Sequence, residues 1–286
     1  MALTQLLDVP APAKLNLFLH VVGRRADGYH LLQSVFMLID WADTLHFERR
    51  SDGLLRRHDA NGDAPPLPAH DLVWRAAHLL QSASACPLGA DITLDKRLPM
   101  EAGLGGGSSD AASTLLALNR LWGLHWPRER LLSLGAQLGA DVPFFLGGHN
   151  AWVEGIGEQL TPIALPPARF LVLKPPTGVS TPAIFQSPDL KRDENMATIA
   201  DFAAVDATDT FGFGCNALQP VASRLCPDIE VGLKWMAKNG LSGRMTGSGS
   251  ALFAPVVSGF EAEPLPNGWV AKICSNLSKH PLLEWI

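Results

Sequence analysis

The chain has 286 residues, of which 47% are hydrophobic and 18% charged, and it holds 26 glycines, 22 prolines and a single tyrosine. This composition excludes a mainly disordered chain and the collagen-like and disulfide-scaffold classes, and the length allows one large domain or two smaller ones. The formal net charge of −5 argues against a nucleic-acid binder or a protein of anionic membrane surfaces, so any anionic ligand must be held by a local site.

The cysteines and the first residues indicate a cytoplasmic protein of bacterial type. The four cysteines lack C-x-x-C spacing and neighbouring histidines, so we expect reduced thiols and no zinc site. The first residues lack the basic start of a signal peptide, and Asp8, Lys14 and Asn16 interrupt their apolar stretch. No uninterrupted apolar run is long enough to cross a bilayer.

The first third of the chain begins with the alternating pattern of a β-strand. Its apolar residues share one face, and Lys14 and Asn16 project side by side on the other. The apolar residues are Leu15, Leu17, Leu19 and Val21. Farther along, the pattern predicts a strand around Leu45 and Phe47, an exposed loop over 52–69, a helix capped by Asp71 and a short strand around Ile92 and Leu94.

The rest of the chain mixes helices and strands in two groups. We predict helices over 110–121, from Pro127 to near Gly139, from a Thr181-Pro182 cap through Phe185, and from Ile229 to Gly240. Strands are predicted at 170–173, Met245, 251–257 and 269–273, whereas 187–213 is weakly patterned. A boundary at Pro166-Pro167 would separate two domains, 1–165 and 166–286, in an α+β architecture.

A glycine cluster, Gly103-Leu104-Gly105-Gly106-Gly107, precedes the helix over 110–121 and is the strongest functional feature. Glycines let the backbone approach a ligand, and the helix N-terminus offers free N–H groups, which suits a polyphosphate. Ser108 and Ser109 add hydroxyls that can cap the helix or touch a phosphate or its metal. The cluster is neither a P-loop nor a G-x-G-x-x-G fingerprint, and a merely flexible loop is the less favoured alternative.

Three other features are ambiguous when taken alone. The loop from Thr246 to Ser250 is more typical of a tight hairpin, although paired with the first loop it could close over the same phosphates. Asp141 is poised to accept a proton from a hydroxyl, but a structural turn aspartate is the commoner reading. Lys14, by itself, fits a solvent-facing residue of an edge strand.

Five segments together resemble the GHMP family of small-molecule kinases. They are Pro12–Leu17, Asp27–His30, Leu98–Ala112, Gly139–Pro143 and Leu241–Ser250. The Lys-Leu-Asn and Gly-Tyr-His motifs resemble more narrowly the branch in the non-mevalonate isoprenoid pathway, which phosphorylates the 2-hydroxyl of a cytidine diphosphate derivative of methylerythritol. The resemblance implies a ribosomal-protein-like N-terminal domain, a ferredoxin-like C-terminal domain and an active site between them.

The resemblance also implies a role for each matching residue. Asp141 would be the base, and Lys14 would keep it ionised and steady the transferring phosphoryl group. ATP would lie with Mg²⁺ along Pro99, Met100, Glu101, Ala102, Gly103, Leu104, Gly105, Gly106, Gly107, Ser108 and Ser109, with Asp71, Leu72 and Lys96 around the adenosine. Asn16, Tyr29, His30, Thr181 and Phe185 would hold the substrate, with the cytosine between Tyr29 and Phe185. Gly247, Ser248, Gly249 and Ser250 form the second loop.

Two alternatives remain open at this point. A related kinase would phosphorylate a sugar, homoserine or a mevalonate-type alcohol, and would not need the two aromatic residues of a cytosine site. A non-catalytic nucleotide-binding module would not need both Asp141 and Lys14. In either case we expect small-molecule partners, no nucleic acid or membrane, and a monomer or weak homodimer.

Overall fold

Two β-sheets with flanking helices form the architecture of this protein, and each sheet is built from one half of the chain. The computed structural model describes residues 3–60, 68–206 and 209–286. The first sheet has six strands: β1 (Gln5–Arg24), β2 (His30–Arg50), β3 (Leu55–Asp59), β4 (Gly89–Asp95), β5 (Ala151–Glu154) and β6 (Gln159–Pro162). The second has four antiparallel strands: β7 (Arg169–Lys174), β8 (Arg244–Met245), β9 (Leu252–Val256) and β10 (Val270–Ser275).

Helices pack beside both sheets. The first half contributes α1 (Leu72–Ser84), α2 (Gly106–Leu121), α3 (Arg128–Leu138) and α4 (Val142–Gly147). The second half contributes α5 (Thr181–Gln186), α6 (Ile199–Ala203), α7 (Gln219–Leu225) and α8 (Asp228–Lys238). Within the described ranges, no helix combines the length and the apolar character needed to cross a bilayer.

The long hairpin of β1 and β2 organises the core. The register of this pair shifts at four places along β1, and residues 11–21 are buried on both faces of the strand. The strand therefore supplies side chains to three successive clusters, represented by Ala11, Leu15 and Leu19. The predicted alternation of a buried and a polar face is thus incomplete, because protein packs against both sides of the strand.

Several predicted boundaries are corrected by the structure. The predicted loop over 52–69 contains β3, which pairs in parallel with β4, while 61–67 lie outside the described residues. The helix predicted over 110–121 begins four residues earlier, at Gly106, so the serines lie in its first turn and do not cap it. Ser180, and not the Thr181-Pro182 pair, caps α5, because its hydroxyl accepts a hydrogen bond from the Ala183 N–H.

The end of the chain returns from the second sheet to the first. The Leu277 N–H donates to the Leu38 carbonyl at 2.9 Å, and the His280 N–H donates to the Gly148 carbonyl at 2.8 Å. Leu282 is buried among residues of the first half. The boundary predicted at 165/166 divides the strands of the two sheets, but the division into independent domains stays a prediction, since this final segment packs on the first half.

Candidate active site

A cleft of about 790 Å³ lies over the glycine cluster. On one side it is lined by 99–108 together with Asp71, Leu72 and Lys96. On the other side Thr181, Ser248 and Gly249 come from the second half of the chain. The residues predicted around ATP are thus brought together, with the exception of Ser109, whose side chain is fully buried beneath the loop.

The two glycine loops meet through their backbones. The N–H groups of Ser250 and Ala251 donate to the carbonyls of Glu101 and Ala102, each at 3.2 Å. Gly103 has φ +71°, and a Cβ atom there would lie 2.3 Å from the Thr246 carbonyl oxygen. Only glycine fits this crossing, which explains why a small residue stands where the loops touch.

The members of the second loop take different positions. Gly247, Ser248 and Gly249 line cavities, and the Ser248 hydroxyl lies 2.6 Å from that of Thr181. Ser250 is buried and donates to the Thr177 carbonyl, so its hydroxyl faces away from the cleft.

Lys14 and Asp141 meet where a small cavity of about 240 Å³ is also lined by Gly103, Gly105 and Phe185. The Lys14 Nζ lies 3.5 Å from the Asp141 Oδ2 atom. Asp141 directly precedes α4, and about 30% of its side chain is exposed, so a ligand hydroxyl can reach it. Remote parts of the sequence therefore supply a carboxylate and a cation to one point of the cleft.

Lys14 is held from several sides. Its Nζ donates a hydrogen bond to the Asn16 Oδ1 atom and lies 4.5 Å from the centre of the Phe36 ring. Its backbone N–H donates to the Leu104 carbonyl at 2.9 Å, which ties β1 to the glycine loop. Because only 4% of Lys14 is exposed, the interpretation of this residue as facing solvent is wrong, although β1 pairs with β2 alone among the described strands.

A third cavity, of about 680 Å³, lies beside the Gly28-Tyr29-His30 turn. Tyr29 is exposed, and Phe185 lines the same cavity with its ring centre 5.0 Å from that of His30. Phe185 also lines the small cavity around Asp141, so the two cavities adjoin. Two arginines that the sequence reasoning missed, Arg24 and Arg192, line this third cavity as well.

A buried ionic cluster, also missed from the sequence, supports the wall of the large cleft. The Lys96 Nζ lies 2.5 Å from Asp43 and 2.9 Å from Asp110, and both carboxylates are buried. The Asp43 carboxylate also accepts the N–H groups of Arg97 and Leu98. The sequence feature that could have indicated this cluster is Asp110, which stands in a helix whose other buried positions are mostly apolar.

The cluster holds two carboxylates for one ammonium, and this imbalance affects its protonation. Burial disfavours the Lys96 ammonium, but the adjacent carboxylates of Asp110 and Asp43 outweigh it and raise the pKa of Lys96. Burial, together with the charge of Asp43, raises the pKa of Asp110 to about 8 despite the opposing effect of Lys96. Asp110 is therefore a carboxyl group that holds a proton near neutral pH, while Lys96 stays an ammonium.

The donors for a metal ion are few at this site. Among the described residues, no group of three or more histidines, cysteines, aspartates or glutamates is arranged to hold a metal. The Ser108 hydroxyl lines the large cleft, and a Cβ atom on Gly139, two residues before Asp141, would lie 3.9 Å from it. The Ser108 hydroxyl and the Asp141 carboxylate are oxygen donors of the kind that Mg²⁺ prefers. Mg²⁺ keeps several waters and takes few protein ligands when it is bound to phosphates, so this small set of donors fits it.

Comparison with known families gives two matches. The family model described as GHMP kinases N terminal domain matches residues 71–149, and the one described as GHMP kinases C terminal matches residues 192–273. The first match includes the glycine loop and Asp141, and the second includes Arg192 and the second loop.

Individual relatives are similar over nearly their whole length. The chain is 62% identical to 4-diphosphocytidyl-2-C-methyl-D-erythritol kinase of Methylibium petroleiphilum, over 100% of this chain and 99% of that protein. It is 60% identical to the same kinase of Polaromonas naphthalenivorans, over 99% and 97%.

Solved structures show the same relationship. A crystal structure of 4-(cytidine 5'-diphospho)-2C-methyl-D-erythritol kinase matches with a TM-score of 0.75 and 34% identity, over 93% of this chain and 98% of that one. A homoserine kinase from Cytophaga hutchinsonii matches with a TM-score of 0.65 at 17% identity, over 86% and 89%, which shows a shared fold alone.

Proposed function

Because the chain belongs to the family of 4-diphosphocytidyl-2-C-methyl-D-erythritol kinases, it is an ATP-dependent kinase of the non-mevalonate isoprenoid pathway, and we propose that the cleft described above is its active site. The reaction phosphorylates the 2-hydroxyl of the cytidyl substrate and releases ADP. The α+β architecture expected from the sequence is confirmed as the two-domain GHMP kinase fold.

The single observation that carries the site assignment is the approach of Lys14 to Asp141 at 3.5 Å beside the glycine loop. In the proposed mechanism, Asp141 accepts the proton of the substrate's 2-hydroxyl while the hydroxyl oxygen attacks the γ-phosphorus of ATP. Lys14 stabilises the negative charge on the phosphoryl oxygens during transfer. Phosphoryl transfer depends chiefly on positioning and on charge stabilisation, which these two groups and the loop amides supply.

We assign the large cleft to ATP. The first-turn N–H groups of α2 have no partners within the helix and carry its positive dipole end, which favours phosphate oxygens. Asp71, Leu72 and Lys96 line the same cleft and would face the adenosine. Mg²⁺ would be held chiefly by the phosphates, with Ser108 as a protein donor, and would supply neutralisation of their charge.

We assign the cavity beside Tyr29 to the cytidine. Tyr29, His30 and Phe185 line this cavity, which offers two aromatic rings for stacking on a base and an imidazole for hydrogen bonding to it. Asn16 and Thr181 line the small cavity that connects this region to Asp141. We also propose that the protein is a monomer or weak homodimer and that it acts in the cytoplasm, where ATP is available.

An ADP-release assay with the Asp141→Asn variant tests the site. With Mg-ATP and the cytidyl-methylerythritol alcohol we expect turnover to fall by about 10²–10⁴-fold, the usual contribution of a positioned base. Asp189→Asn, which alters an exposed ion pair with Arg224, is the matched control and should keep normal turnover. Near-normal turnover of a folded Asp141→Asn protein would refute the base assignment, and activity on simpler alcohols alone would refute the cytidine site.

A further inference from the structure

Arg192 connects the two walls of the proposed cytidine cavity. Its Nη2 donates to the carbonyls of Phe185 and Ser187 at 3.1 and 2.8 Å, and its Nη1 donates to the Leu190 carbonyl at 2.9 Å. Its Nε–H donates to the Nε2 atom of His30 at 3.0 Å, so four of its five N–H donors are used in these bonds. The guanidinium is therefore committed to bonds within the protein, and it orients the His30 ring.

The bond between Arg192 and His30 determines where the imidazole carries its proton. A guanidinium is always protonated and can only donate, so the His30 Nε2 atom must accept with its lone pair. A neutral ring with a free lone pair on Nε2 carries its hydrogen on Nδ1. Among the described residues none forms a hydrogen bond with Nδ1, so this N–H is available to a ligand in the cavity.

The surroundings of His30 favour the same neutral form. Burial lowers the pKa of His30, and the positive charges of Arg192 and Arg24 lower it further. A doubly protonated ring would also place an N–H against the Arg192 Nε–H. The charge distribution and the hydrogen-bond geometry thus agree.

We propose that Arg192 is a positioning residue that holds His30 in the Nδ1-protonated tautomer and thereby makes the ring a hydrogen-bond donor to the substrate base. Both bases offer an acceptor at O2, but at position 3 cytosine has an acceptor nitrogen whereas uracil has an N–H, so a His30 donor directed at position 3 favours cytosine. The consequence for base selection rests on the proposed function, but the tautomer itself does not.

The tautomer is measurable in the free protein by ¹⁵N NMR of histidine-labelled samples, with His30 assigned by comparison with a His30→Gln variant. We expect a protonated Nδ1 and an unprotonated, hydrogen-bonded Nε2 at neutral pH. In Arg192→Met the Nε2-protonated form should become dominant, while Arg224→Met, on an exposed arginine, should leave the signals unchanged. An Nε2-protonated or doubly protonated His30 in the unmodified protein would overturn the proposal, and this measurement needs no substitution of Arg192.

Base selection is tested by calorimetric titration of cytidine 5'-diphosphate and uridine 5'-diphosphate, with a non-hydrolysable ATP analogue saturating the other cleft. We expect the unmodified protein to prefer the cytidine ligand by about tenfold or more, and Arg192→Met to narrow that preference about tenfold. A general loosening of the loop would weaken both ligands equally. If Arg192→Met changed the tautomer but left the ratio of the two affinities unchanged, base selection would be refuted. If neither ligand bound, the proposed cytidine site would be refuted and the tautomer result would stand.

Discussion

Lys14 is a buried cation beside Asp141, the proposed base, in a protein whose net charge is −5. Its ammonium has an amide oxygen and one carboxylate as partners, so part of its charge remains available to an incoming phosphoryl group. Electrostatic interactions strengthen where water is excluded, and a local cation beside helix amides therefore outweighs the distant, screened surface charge. The net charge argued against nucleic acid but never against ATP.

Asp110 should make stability depend on pH. Its pKa in the folded protein is about 8, above the value near 4 of an unfolded chain. Between these values the native state binds a proton that the unfolded state lacks, so the free energy of unfolding falls as pH rises. Asp110→Asn removes this loss. We expect the free energy of unfolding of the variant to exceed that of the unmodified protein by about 1–3 kcal/mol at pH 9 and to match it closely at pH 5.

Chemical denaturation at the two pH values measures this difference. Asp43 and Lys96 face Asp110, and the raised pKa of Lys96 places its own titration above the pH range used. Asp189→Asn, at an exposed carboxylate, serves as the control for removing a charge. If Asp110→Asn were equally destabilised at both values, the carboxylate would be ionised throughout, and its pairing with Lys96 would outweigh burial.

The two glycine loops act as one element because they touch through their backbones. Gly103→Ala would push a methyl group to 2.3 Å from the Thr246 carbonyl and force a positive φ on an alanine. We expect a loss of about 1–3 kcal/mol in the free energy of unfolding, from strain of this kind, together with a raised KM for ATP. Gly212→Ala, where an added methyl meets open space, is the control. Unchanged stability and KM in Gly103→Ala would show that the loops move apart freely.

Local patterns predicted the elements better than they predicted the contacts between them. The Asp71 cap and the strand around Ile92 and Leu94 follow from short-range rules and are confirmed. Helix α7, by contrast, is not predicted from the sequence. Strand β3 falls in a predicted loop, because the pairing of β3 with β4 is a tertiary contact that local patterns do not show. The start of α2 was placed too late, since glycines discourage a helix unless a ligand site or packing requires one.

The functional residues divide in the same way. Motifs identified Lys14 and Asp141, which stand in recognisable segments and do approach each other. Arg192 lies in a segment with weak periodicity, and its importance arises from three hydrogen bonds to nearby carbonyls and one to His30, which is 162 residues away. The Asp43 carboxylate accepts a hydrogen bond from the backbone N–H of Arg97, more than fifty residues away. No local pattern reports such partners, so they become visible only in three dimensions.

The whole molecule is joined by chain segments that run between the two sheets. Strand β1 contributes to all three core clusters, and the last residues cross back to the first half. The Arg128 guanidinium donates to the carbonyls of Leu283 and Ile286, which anchors this final segment beside α3. Such connections favour one cooperative unfolding transition in place of two independent ones.

Leu282→Ala tests this coupling. Leu282 is 3% exposed and packs with the first cluster, although it follows the second sheet in sequence. A cavity at a buried leucine costs about 2–5 kcal/mol, so we expect a lower Tm with a single transition reported alike by near-ultraviolet and far-ultraviolet circular dichroism. Leu225→Ala, at a leucine 53% exposed, should change Tm little. Two separated unfolding transitions in Leu282→Ala would mean that the two halves of the chain fold independently and that the C-terminal segment does not couple them.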